Sequence, residues 1–275
     1  MRASTAAAMM MILQLLSSPL ILIRGPDAAL QNPPRRLSSL RMVGAGAAGK
    51  STHTSTAQKP SNKKRKSSAS TPKLPELQAW PAVAPKPALR RELLHSTHLF
   101  TVPEFLSDKE CEAFIRSAEA RGLEHQGSGG PAKGEAFRDN ERLSDYNVEL
   151  ADMLWQAGLR ELFDGVVVGR KVAVGLNPNI RLYRYGQGQR FGPHYDESVD
   201  IDGGGATEFT LLVYLTGGLR GGETVFYDRR KIVAEVAPAA GMALFHIHGA
   251  RCLLHEAKAV LKGIKYVLRS DVVFA

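Results

Sequence analysis

The 275-residue chain carries 36 Lys or Arg against 27 Asp or Glu, a formal net charge of +9, and is 44% hydrophobic. Two cysteines, Cys111 and Cys252, are too few for a disulfide framework and exclude a small stapled scaffold. The charge is unevenly spread: residues 1–75 hold 12 basic side chains against one acid, Asp27, whereas residues 76–275 hold 24 against 26. A basic tail therefore precedes a near-neutral region long enough for one substantial core.

The tail, residues 1–75, reads as a basic low-complexity segment, either targeting or disordered. Ala6 to Ile23 is mostly apolar but broken by Gln14 and Ser17-Ser18-Pro19, which suits a signal h-region or an anchor better than a spanning helix. Arg35 to Ser70 has no acid and is rich in Ser, Thr and Ala, as organelle transit peptides are. Lys63-Lys64-Arg65-Lys66 suits nuclear import or a nucleic-acid contact. The destinations favoured are an organelle or the secretory pathway and its membrane, with the nucleus as the alternative. Gly44 to Ser51 spells a phosphate-binding loop, but Thr52 to Pro60 has no helical period to follow it. Without strand and helix to aim backbone amides, nucleotide hydrolysis is set aside. Residues 76–98 read as a linker into a domain over 99–275.

Ser107-Asp108-Lys109-Glu110 is a capping box, and Cys111, Phe114, Ile115 and Ala118 follow at helical spacing, predicting an amphipathic helix. Gly122 to Asn140, with Gly127-Ser128-Gly129-Gly130-Pro131, reads as a loop. A second helix is predicted over Val148 to Leu162, burying Leu150, Met153, Leu154 and Ala157. From Val172 onward come short β-rich runs: 180–185, 209–215, 223–227, 232–236, 242–247 and 265–274. Glycine-rich turns separate them, predicting a mainly β fold with flanking helices, a jelly-roll or cupin-like double sheet.

His194 and Asp196 would project from one face of an extended segment. They read either as solvated loop decoration or as two points of a ligand set. A histidine from a distant strand would complete a two-histidine, one-carboxylate site that holds Fe(II) and leaves positions open. Lys265 lies in the apolar run Ile264-Lys265-Tyr266-Val267-Leu268. Buried, it needs a negative partner, which a dicarboxylate would supply; alternatively it shares a solvated face with Arg269 and Asp271. His246 and His248 also have strand spacing. They read as partly buried structural histidines, one of which can face a pocket. Cys111 reads as helix packing.

Tyr185, Gly188, Gln189, Phe191, His194 and Asp196 match Y-x2-G-Q-x-(F/Y)-x2-H-x-D, and His255, Val260, Gly263 and Lys265 match H-x4-V-x2-G-x-K. Over roughly residues 99–275 the chain resembles the prolyl 4-hydroxylase-like branch of the Fe(II)/2-oxoglutarate dioxygenases. The resemblance implies a double-stranded β-helix with His194, Asp196 and His255 as iron ligands. It also implies that Lys265, ten residues after His255, binds the far carboxylate of 2-oxoglutarate. Tyr185 and Tyr214 are candidate phenol donors to that cosubstrate. Arg269 is a reserve anchor or the member of a structural ion pair. The resemblance further implies O2 as co-reactant, succinate and CO2 as co-products, L-ascorbate as the reductant of the iron, and a mobile loop at 122–140 over the substrate. Peptidyl proline within a protein or peptide is the favoured substrate. The alternatives are nucleic-acid or small-molecule oxygenation, or a metal-binding interaction module without turnover.

Overall fold

The computed structural model describes residues 79–127 and 136–275. The expectations for the apolar run at 6–23, the transit-like segment, the phosphate-loop pattern, Lys63–Lys66 and the Ser128–Pro131 part of the loop lie outside the described residues. Among the described residues no helix is long and apolar enough to cross a membrane.

The chain enters through β1 (Leu99–Val102) and turns into α1 (Asp108–Arg121). The capping box forms: the Glu110 amide donates to the Ser107 hydroxyl, and the Ser107 amide donates to Glu110 Oε2 at 2.7 Å. Satisfying these otherwise orphaned donors fixes where the helix starts. Cys111, Phe114 and Ala118 are buried as predicted. Glu110 also accepts from the Ala84 amide at 2.7 Å and from Lys86 Nζ at 2.9 Å. Residues 79–98, expected as linker, therefore lie against the domain, with Trp80, Val83 and Leu89 packed on its core.

Next come β2 (Glu124–Gln126) and β3 (Arg138–Tyr146), which pair with each other, so both flanks of the predicted loop are strand. The second helix appears over the predicted span but in three pieces: α2 (Val148–Leu154), a π turn (Trp155–Leu159) and α3 (Arg160–Leu162). The interruption has a local cause. Gly158 sits at φ +129°, and a Cβ there would lie 2.6 Å from the Lys86 carbonyl and 2.9 Å from Leu89 Cδ1. The Lys86 amide donates to Ala157 O at 2.8 Å, so the helix widens where the 79–91 segment crosses it.

The remaining strands of three or more residues are β4 (Lys171–Leu176), β5 (Asn179–Tyr185), β6 (Arg190–His194), β7 (Ala206–Tyr214), β8 (Thr224–Asp228), β9 (Lys231–Val236), β10 (Ala243–Ile247), β11 (Leu254–Ala257), β12 (Val260–Lys262) and β13 (Lys265–Phe274). Hydrogen bonding runs unbroken in the order β1, β10, β7, β13, β5, β3, β6, β11, β8, β9. Along this path every pair is antiparallel. β3 joins the two halves, because Glu141–Tyr146 pair with β5 whereas Arg138 and Asp139 pair with β6. The sheet thus curls into the jelly-roll-like double sheet that the strand pattern predicts, the double-stranded β-helix implied by the resemblance.

Strand alternation makes two cores. Ile180, Leu182, Phe209, Leu211, Val213, Phe245 and Leu268 pack outward with the helices, whereas Tyr183, Tyr185, Tyr214, Leu244 and Val267 face inward with Phe226 and Val260. Phe163, just past α3, meets Phe100, Trp155, Phe209, Phe245 and Phe274 at ring separations of 5.2 to 6.3 Å. Phe163→Ala is expected to cost about 3–5 kcal/mol, read as a lower urea midpoint. A loss under 1 kcal/mol would contradict this packing account.

Candidate functional site

β6 and β11 are paired in the register that sets His255 directly opposite His194, their rings 4.2 Å apart. A separation of 61 residues becomes one cross-strand pair. Asp196 follows just past the end of β6. Its Oδ1 is 3.7 Å from His194 Nε2, and its Oδ2 is 3.8 Å from His255 Nε2. The ligand atoms of these three side chains all lie within 4.8 Å of one another, a spacing that can hold a metal ion.

The tautomers are set locally. His194 Nδ1 donates to Gly192 O at 2.8 Å and His255 Nδ1 to Leu253 O at 2.9 Å, leaving both Nε2 lone pairs toward Asp196. Burial, reinforced by His255, pulls His194 down to about 4, and burial also lowers His255. Both imidazoles are thus neutral, the form a metal takes. Burial alone would raise the Asp196 carboxyl. Arg269 and the Thr210 hydroxyl outweigh it and hold the group well below the usual carboxylate range. Thr210 Oγ1 donates to Asp196 Oδ2 at 2.6 Å and Arg269 Nη2 at 3.0 Å. One carboxylate oxygen is therefore held by protein while Oδ1 faces His194.

On β13 every second residue points into the cavity, where Lys265, Val267 and Arg269 all line the same space. Lys265 is 2% exposed, which overturns the solvated-face reading for it and for Asp271, also buried. Its Nζ donates to Gly222 O at 2.6 Å and lies 5.5 Å from the Tyr185 ring and 5.3 Å from that of Tyr214. Burial lowers its pKa to about 7 against the opposing effect of Glu223. Among the described residues no carboxylate comes within ion-pair distance of it. Tyr185 stands opposite Lys265 in the sheet register and lines the cavity. Tyr214 brings its ring to Lys265 but donates its hydroxyl to Thr224 at 2.7 Å. Arg269 pairs with Asp196 and, at 3.3 Å, with Asp271, as its structural ion-pair reading expects, and it also lines the cavity.

The histidine pair at 246 and 248 is fully rather than partly buried, at 3% and 4% exposure. His248 is structural, with Nε2 2.7 Å from Thr210 Oγ1 and Nδ1 3.3 Å from Thr207 Oγ1. His246 lines the cavity with Nε2 3.6 Å from Asp196 Oδ2, and neither ring nitrogen has a hydrogen-bond partner. Cys111 packs in the core as expected. Phe191, a motif position, lines the cavity, whereas Tyr183, Thr210 and Cys252 carried no site role in the sequence. Strand parity signals Thr210, two residues before Leu212 and four before Tyr214, whereas Cys252 lies off any strand and carries no such signal.

The buried imidazoles make metal-free stability pH-dependent. The His194 pKa is depressed from 6.5 to about 4, so the unfolded chain binds protons first as pH falls. This contribution is complete above about 6.5 and lost as pH drops through about 4; His246, also depressed, adds to it. The melting midpoint of the metal-free protein should fall between about pH 7.5 and about pH 4, less steeply in His246→Phe. A midpoint that stays level over that range would refute the burial account.

Residues 180–270 match the family model of the 2OG-Fe(II) oxygenase superfamily. The chain is 27% identical over 142 residues to a probable prolyl 4-hydroxylase 7 of Arabidopsis thaliana, covering 49% of this chain and 43% of that one. It is 38% identical over 64 residues to a probable prolyl 4-hydroxylase 4 of the same plant, covering 21% of this chain and 22% of that one. It thus spans less than half the length of these curated relatives. Among solved structures it is similar to a viral collagen prolyl hydroxylase of Paramecium Bursaria Chlorella virus-1, with 23% identity, a TM-score of 0.49, and coverage of 65% of this chain and 97% of that one. It is also similar to a Pseudomonas putida prolyl-4-hydroxylase, with 18% identity, a TM-score of 0.46, and coverage of 65% and 94%.

Proposed function

Since the chain belongs through residues 180–270 to the 2OG-Fe(II) oxygenase superfamily, we propose that it is an Fe(II)- and 2-oxoglutarate-dependent dioxygenase that hydroxylates peptidyl proline, with succinate and CO2 as co-products. One observation carries the reading: a neutral two-histidine, one-carboxylate cluster shares its cavity with a buried lysine that lacks an anion. The donor set fits the metal, because two imidazole nitrogens and one carboxylate oxygen suit non-haem Fe(II) and leave positions for other ligands. Lys265 fits the cosubstrate, because a buried ammonium without a carboxylate is costly until an anion arrives.

In this reading His194 Nε2, Asp196 Oδ1 and His255 Nε2 hold the iron. Lys265 Nζ, beside Tyr185, takes the far carboxylate of 2-oxoglutarate. The metal with its cosubstrate, when bound, supplies the oxidising chemistry, with ascorbate keeping the iron reduced. The chain's own contribution is orientation and dryness. Arg269 and Thr210 stop Asp196 from turning, the Gly192 and Leu253 carbonyls keep both histidines with Nε2 unprotonated, and Leu212, Phe191 and Val267 shed water from the cavity. The named prolyl 4-hydroxylase relatives support the peptidyl proline substrate. The non-catalytic module is disfavoured by Lys265, since a silent barrel has no use for a buried cation of this kind. For the tail, an organelle or secretory destination remains the favoured reading.

Anaerobic titration of the metal-free protein with Fe(II) and 2-oxoglutarate should produce the visible charge-transfer band of a chelated complex. His194→Ala should abolish it. Lys265→Ala should need roughly tenfold more 2-oxoglutarate or beyond, the loss of a charge-assisted hydrogen bond of about 1.5–3 kcal/mol. A folded wild-type protein that yields no band would sink the oxygenase reading. Proline-containing peptides that never raise succinate formation above the uncoupled rate would sink the substrate.

A further inference from the structure

His246 has no role in the ligand set above, yet its cost is high. An imidazole with two unpartnered nitrogens in a buried site loses the hydrogen bonds it would make to water. Its neighbours suggest what satisfies it. The ligand atoms of His246, Cys252 and His255 all lie within 4.8 Å of one another, and all three residues are buried. Cys252 Sγ is 3.9 Å from His255 Nδ1 and accepts the Asp196 amide at 3.3 Å. An N–H aimed at sulfur is the support a metal thiolate requires.

We infer that His246, Cys252 and His255 form a second metal-binding set, suited to Zn2+ and sharing His255 with the first. One thiolate and two imidazoles are donors that Zn2+ favours, and the fourth tetrahedral position stays open to water. Binding breaks the Cys252 S–H bond, forms a sulfur–metal bond and releases the proton to solvent. His246 also lines a second depression, with His98, Arg251, Phe226 and Leu253. Cys252 lies on the Nδ1 side of His255, so a metal in this set takes Nδ1 in place of the Leu253 O bond and leaves the ring proton on Nε2; a neutral imidazole has one lone pair, and the two occupancies therefore exclude each other. Resting on the oxygenase reading, Zn2+ at this set would remove His255 from the iron and act as an inhibitor.

Co2+ serves as the spectroscopic probe, added to the metal-free full chain. Wild type and His194→Ala should both develop a near-ultraviolet sulfur-to-cobalt band, since His194 is no part of the second set. The band should vanish in Cys252→Ser, weaken at equal Co2+ in His246→Gln, and collapse on adding one equivalent of Zn2+. Folded wild-type and His194→Ala proteins that bind Co2+ without the band would overturn the inference. So would a band that survives Cys252→Ser. The Fe(II) and 2-oxoglutarate titration on the same preparations separates the two claims. That complex without a thiolate band sinks only the second set, and a thiolate band without that complex sinks only the oxygenase.

Discussion

A single strand, β13, carries three charged side chains of one parity out of open water: Lys265 and Asp271, both buried, and Arg269, whose side chain is 12% exposed. Charges taken out of water must be compensated by the structure around them, and most of the cavity follows from how this is done. Arg269 sits between two carboxylates, Asp271 on its own strand and Asp196 from the end of β6. Asp196 is thereby held in place from β13, an interior strand paired on both sides, with one oxygen occupied and one facing the histidines. Lys265 has no such carboxylate, only the Gly222 carbonyl and two aromatic faces. The same strand therefore presents one satisfied cation and one unsatisfied cation.

The histidines show the converse logic. His194, His246 and His255 crowd around one carboxylate, and burial keeps each imidazole neutral. Three neutral imidazoles beside a carboxylate concentrate lone pairs, which is stabilised by a cation rather than by protons. Carbonyl oxygens two residues away fix the tautomers of His194 and His255, so the strands that supply the rings also aim them. His246 receives no such help and stays open to coordination.

The outer layer holds this interior still. Phe163 anchors the helices to the outward face of the major half of the sheet, whose other face carries Tyr183, Tyr185 and Tyr214. α1 is tied to residues 84–86 through Glu110, whose carboxyl Lys86 and the Ser107 and Ala84 amides, acting against burial, hold down to about 2. The segment before the barrel is thus part of the fold, and it also sets the π turn at Gly158.

Much of this was legible in the chain. Six β-rich runs, two helices and the capping box were readable because alternation and helical spacing are local consequences of which residues are apolar. The H-x-D spacing and the distance from His255 to Lys265 marked the candidate site. β3 was not readable, since Arg138 to Tyr146 is polar and is strand only because β5 and β6 flank it. The 79–98 segment read as linker because its docking depends on Glu110, 24 residues beyond Lys86. The sequence by itself determined the residue types, the strand parity and so which side chains share a face. Only the tertiary structure decided that Lys265 is buried without an anion, that Arg269 serves Asp196, and that His246 and Cys252 reach His255. The reason is physical: parity is a property of one strand, whereas a cross-strand register and a partner's distance exist only once the sheet has closed.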